Sequence, residues 1–201
     1  MPPTQTDVID TLVGIKPGGA LDAIRARRGE ARKHAQTSYV GLLAPADPGG
    51  VSLQERFAIA AFVAGLHGEA RTKAFYAEGL KSSGASDALS VAIAAQVDAA
   101  KAAGPYGHYP KGPLSGEDQT GPVYRVAGDA RAALGARLAA ALEHVHMLVL
   151  HPRDASAASL QAMLDAGWST TDVVVISQLV SFLSFQIRVV AGLRVLASHP
   201  A

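Results

Sequence analysis

Apolar residues recur at three- and four-residue intervals along most of the chain, and the interruptions fall at Gly, Pro and Ser, a pattern that predicts an all-α protein. A short apolar segment, Val8 to Ile15, leads into the turn Lys16-Pro17-Gly18-Gly19, and a helix is expected from Ala20 to Leu43. The prolines and glycines of Ala44 to Gly50 end it, because they remove amide donors and helical preference together. Ser52, with Glu55 three residues on, forms a capping box for the next helix, Leu53 to His67. That helix is apolar nearly all round (Phe57, Ile59, Phe62, Val63, Leu66) and is expected to be buried.

A more amphipathic helix follows from Glu69 to Ser82, and another from Asp87 to Ala103. Gly104 to Val123 then holds too many prolines and glycines for any helix, and a loop of that length is usually functional or flexible. A long helix is expected from Gly128 to Leu150, then one capped by Asp154 and ending at Gly167, then a last one from Thr170 to Ala197. The reading is one domain over residues 1–201. It comprises an N-terminal helical extension (1–50), core helices (51–103), a loop (104–123) and C-terminal helices (124–201).

Composition narrows what such a bundle can do. Eighteen basic residues against 17 acidic ones leave no single-sign field to hold nucleic acid or an anionic membrane. Val173 to Ile187 is short for a membrane span and carries Ser177, Gln178, Ser181, Ser184 and Gln186, so it reads as a buried or interfacial helix. The polar stretch Met1 to Asp10 has no signal-peptide pattern, so a cytoplasmic location is expected. A mean hydropathy of +0.18 suggests apolar surface buried between subunits of a homo-oligomer. The absence of cysteine excludes disulfides, thiolate metal sites and thiol nucleophiles. No pattern in the chain asks for a cofactor.

The run Leu160-Gln161-Ala162-Met163-Leu164-Asp165-Ala166-Gly167-Trp168-Ser169, with Asp172, Ser177-Gln178-Leu179 and Phe182 to Arg188, resembles the closing helices of the alkyl hydroperoxidase D-like, or carboxymuconolactone decarboxylase, superfamily. Ser52 to Tyr76 looks like that family's core helix pair, while Ile15 to Gly18 and Tyr39 to Leu43 look like its peroxidase-related branch. The resemblance implies a bundle of paired antiparallel helices assembled into dimers, trimers or hexamers. Peroxidase members carry Cys-x-x-Cys-x-x-x-His; the matching positions here are Glu69, Thr72 and Tyr76, with Glu55 the acid closest to the family's upstream glutamate. Thiol peroxidases need a low-pKa thiolate and a resolving thiol, so that activity does not carry over.

Glu69, Thr72 and Tyr76 fall at i, i+3 and i+7, on one helical face, where a carboxylate, a hydroxyl and a phenol could do acid–base work on a small molecule. The alternative is that Glu69 merely complements its own helix N-terminus. His67, just before it, is a further site candidate or a dipole-complementing residue at a helix end. Tyr106, His108 and Tyr109 in the loop suggest a lid, or aromatics packed on the helices. His144, His146 and His151 invite a metal reading, but His144 and His146 point apart on one helix and His151, on the face of His144, lies two turns on, too distant to share an ion, so surface or capping histidines are expected. Arg188, in an apolar helix, must pair (with Glu143, Asp165 or Asp172) or reach solvent. Two functions follow: a structural or regulatory partner, in a homo-oligomer or beside a cysteine-bearing relative, or a non-redox acid–base enzyme.

Overall fold

The computed structural model describes residues 6–199 and is all-α, with 71% helix. The outermost residues of the polar N-terminal stretch and of the segment 124–201 lie outside the described residues. Among the described residues ten helices follow one another: α1 (Val8–Val13), α2 (Ala20–Ala26), α3 (Gly29–Leu43), α4 (Leu53–His67), α5 (Ala70–Ser82), α6 (Asp87–Ala99), α7 (Gly128–Leu134), α8 (Ala136–Leu150), α9 (Ala157–Asp165) and α10 (Thr170–Ser198). Short 3₁₀ turns at Pro113–Glu117 and Pro152–Asp154 interrupt the connections.

Helix α4 sits at the centre, packed against α5, α6, α8 and α10. Its uniform apolarity has this cause: Ala58, Ile59, Phe62, Val63 and Ala64, on every side of the helix, are all fully buried. The Ser52–Glu55 capping box forms as expected, and a second one, Ser169 with Asp172, starts α10. Helix α5 approaches α4 closely because position 79 is glycine; a Cβ there would lie 2.5 Å from the Phe57 ring. A smaller apolar cluster (Val8, Ile9, Leu12, Ala35, Val190) joins α1 and α3 to the C-terminal half of α10.

Charged side chains stitch the connections to this core. Arg56, 4% exposed, donates to the carbonyls of Val51, Leu42 and Pro48 at 2.7–2.8 Å, which satisfies a buried cation and fixes the proline-rich turn before α4. Arg137 donates to Glu55 (3.0 Å) and to the carbonyls of Gly167 (2.8 Å) and Gly50, and stacks 3.6 Å above the Trp168 ring. Arg25 and Arg32, from α2 and α3, converge on Asp10 of α1.

Several boundaries differ from the sequence reading; the helix expected over 87–103 ends at Ala99. The expected helix over 20–43 is broken at Arg27 and Arg28, which separates α2 from α3. The expected helix over 128–150 turns through 114° at Gly135, whose φ of +79° is open to glycine and strained for other residues. Ser156, not Asp154, caps α9, and Asp154 is drawn into other hydrogen bonds. Helix α10 is long and apolar enough to cross a bilayer by length and composition alone, yet half of its most apolar stretch is buried inside the protein.

Candidate functional site

The spacing of Glu69, Thr72 and Tyr76 does place them on one face, but α10 fills the space that face looks into. Glu69 is the N-cap of α5: its carboxylate accepts the Thr72 amide at 2.7 Å and binds Arg194 of α10. Burial pushes its pKa up, but hydrogen bonds from Thr72 and from the Arg71 amide, with the charge of Arg194, outweigh this and hold it below the usual glutamate value. Thr72 is fully buried, and its hydroxyl donates to the Glu69 carbonyl at 3.0 Å. Tyr76 is fully buried with its hydroxyl on the Gln186 side-chain oxygen, and burial raises its pKa well above that of an ordinary phenol. His67, half-buried, lies 3.4 Å from the Ser184 hydroxyl; burial and the nearby Arg188 lower its pKa. The Glu69 carboxylate and the Tyr76 phenol are thus both engaged inside the protein, and their contacts join α5 to α10.

A different polar cluster gathers where the loop meets the C-terminal end of α8. The loop is pinned rather than free: the Tyr106 amide donates to Leu150 at 2.8 Å, Gly107 pairs with Gln119, the Tyr109 amide donates to Asp118 at 2.7 Å, and Arg153 stacks on the Tyr109 ring. Asp154 closes this arrangement. Its Oδ1 accepts the amide of His108 at 3.0 Å and lies 3.1 Å from His108 Nδ1, and its Oδ2 lies 3.1 Å from His151 Nδ1. The three loop candidates therefore separate: His108 joins the cluster, while Tyr106 and Tyr109 hold the loop to it.

His144 and His146 lie inside α8 and are buried, contrary to the surface or capping placement expected, whereas His151 is the C-cap residue of α8, a capping position as expected, and is buried too. His144, His146 and His151 are 6, 1 and 8% exposed. The reason is that α8 is covered on several sides, by α4, α7, α9 and α10, and has little solvent face to offer. His146 Nε2 lies 3.1 Å from the Ala100 carbonyl, whereas both ring nitrogens of His144 and Nε2 of His151 have no partner. Burial lowers the pKa of His144, so it is neutral at neutral pH. Tyr124 donates to Gln96 at 2.7 Å, and burial with the charge of Glu143 pushes its pKa up to about 12. Glu143 accepts the Val126 amide and binds Arg131. These groups line a cleft of about 720 Å³, with Met147, Met163, Ala140 and Ala162 as its apolar part. Among the described residues, no group of three or more His, Asp or Glu side chains is arranged to hold a metal ion.

Helix α10 presents a third feature. Val174 and Phe185, 55 and 47% exposed, flank Gln178 and Ser181 along a ridge. A groove of about 990 Å³ runs on one side, lined by Leu42, Leu160, Leu164 and Phe182, and one of about 680 Å³ on the other, lined by Leu148, Val149 and Val189. Arg188 is exposed beyond this ridge; the acids weighed as its partners bind elsewhere, Glu143 to Arg131, Asp172 to the Ser169 amide and Asp165 to Gln161. Comparison of the chain with models of known protein families, with curated proteins and with solved structures finds no match.

Proposed function

We propose that this chain is a cysteine-free protein of the alkyl hydroperoxidase D-like superfamily, an AhpD-like bundle of paired antiparallel helices acting in the cytoplasm as a structural or regulatory member of an oligomer. The observation that carries the reading is the uncharged ridge of α10. From Thr170 to Ile187 the helix holds one charged residue, Asp172, which is itself buried in the capping box. Val174, Gln178, Ser181 and Phe185 recur at four- and three-residue intervals, the spacing of a helix that seats against another helix. A ridge between two grooves is self-complementary: the ridge of one copy fits the groove of a second related by a two-fold axis. The filled motif junction supports the same reading, since it leaves Glu69, Thr72 and Tyr76 with roles in folding only. A cysteine-bearing relative with a matching face is the other partner that this surface suits.

Light scattering on the eluting peak of a sizing column tests the proposal. The expected result is a mass of two or more chains that falls to one chain when Phe185 and Val174 are both replaced by Glu. A monomer at all concentrations, with no complex formed on adding a cysteine-bearing relative, overturns it.

A further inference from the structure

The cleft beneath α8 leaves hydrogen-bonding capacity unspent on side chains that are themselves buried. Buried polar groups in folded proteins are nearly always partnered, because an unmet donor or acceptor forfeits its hydration without return. Here three imidazole nitrogens, both of His144 and Nε2 of His151, line one cleft and have no partner. We infer that this cleft is a binding site for a small, uncharged hydroxylated aromatic molecule bearing a second polar group at the opposite end of its ring, with His151 accepting the hydroxyl proton and His144 anchoring the far end.

Each part of this description follows from a residue. Asp154 Oδ2, 3.1 Å from His151 Nδ1, holds the proton of that ring on Nδ1 and leaves a lone pair on Nε2. Nε2 is therefore an acceptor with an oriented ring and a carboxylate behind it, the arrangement a proton acceptor requires. Transfer breaks the O–H bond of the ligand and forms N–H at Nε2; the electron pair stays on the phenolate oxygen, and the imidazolium is balanced by Asp154. His144, neutral, has one donor and one acceptor nitrogen to offer. It lies seven residues before His151, about 10 Å along the helix axis, so one ligand atom cannot serve both and a molecule with two polar ends is needed. The cleft is also lined by Met147, Met163 and Tyr124, surfaces suited to a ring. The cleft has no free carboxylate for a cationic ligand, because its acids are engaged: Asp154 with His108 and His151, Glu143 with the Val126 amide and Arg131.

The test uses the full chain and 4-nitrophenol, whose absorption reports its ionisation, with the imidazole ¹⁵N resonances followed by NMR at fixed pH. Expected are saturable, simultaneous movements of the His144 and His151 signals, with those of exposed His34 and His199 unchanged, and a gain of phenolate absorption on binding. His144→Leu weakens binding about tenfold, the loss of one hydrogen bond to a buried group. His151→Gln abolishes the phenolate signal while binding persists; Asp154→Asn, which removes the carboxylate behind the ring, does the same if the first variant does not fold. Unmoved His144 and His151 signals, which mean that ordered water alone fills the cleft, overturn the inference. So does a phenolate signal that survives both His151→Gln and Asp154→Asn.

Discussion

The two polar clusters of this protein are built from similar groups and treated in opposite ways. Where α4, α5 and α10 meet, Glu69, Thr72 and Tyr76 each find a partner inside the protein. Beneath α8, His144 and one nitrogen of His151 are just as far from solvent and find none. Burial by itself is therefore a poor sign of function, and the state of the hydrogen bonds is the better one. Gln186, which accepts the Tyr76 hydroxyl, leaves its own Nε2 without a partner, so the junction is satisfied at Glu69, Thr72 and Tyr76 and not throughout, and it is an unmet group adjoining a cleft that points to another molecule.

The sharpest way to break this comparison is to remove the largest satisfied group. Tyr76→Ala should lower stability to urea by about 3–5 kcal/mol, the cost of deleting a fully buried aromatic ring, and leave 4-nitrophenol binding by the folded fraction unchanged. An equal loss of ligand binding would tie the two clusters together.

Next in size, and opposite in sign, His144→Leu should raise stability by about 1 kcal/mol at neutral pH, because it removes buried nitrogens that have no partner. The same histidine sets a pH dependence. Its folded pKa lies below the ordinary value of 6.5, so the unfolded chain binds a proton that the folded chain resists as pH falls below 6.5. The contribution of neutral His144 is thus fully present above pH 6.5 and is lost on acidification. The stability profile of His144→Leu between pH 5 and 6.5 should be flatter than that of the parent, as read from urea midpoints. A destabilised leucine variant would mean that the cleft is as complete as the junction.

The smallest effect is expected at Glu69. Glu69→Gln should cost about 0.5 kcal/mol at neutral pH, since the neutral amide caps α5 less well and gives up the charge of Arg194. With its folded pKa depressed, the carboxylate stabilises the protein above its unfolded value of 4.5, and the contribution disappears as pH falls through the folded value. Urea midpoints of the parent and the glutamine variant should therefore converge below pH 4.5.

How much of this was legible in the sequence depends on whether a signal is local. The capping boxes at Ser52 and Ser169 are encoded within four residues, and α4 and α10 start where these place them. The break at Arg27 and Arg28 carries no Pro or Gly before position 29 and follows instead from tertiary pairing of Arg25 and Arg32 with Asp10. Gly135 stood inside a periodic helical run, where glycine is tolerated, so its left-handed conformation was not readable. The burial of His144 and His146 does have a signal in the sequence: Leu138 to Leu150 is apolar on several faces, as α4 is, and polar residues in such a helix belong to the interior. The cleft draws on residues 108, 120–125 and 140–163, and no spacing within one helix encodes that meeting. Glu69 as a helix cap was half readable, since a carboxylate before a helix is favoured there; the Arg194 that completes it is 125 residues away.

Arg137 has a consequence for how the chain comes together in time. Its guanidinium joins Glu55 and Gly50, 82 and 87 residues distant in sequence, to the turn at Gly167. A contact spanning that much chain costs loop-closure entropy and cannot precede the docking of α8 onto α4. If it closes late, Arg137→Ala should speed unfolding more than it slows folding, as read from the two arms of a urea chevron. One side chain, placed where the two halves of the sequence meet, would then weigh on how long the folded protein persists.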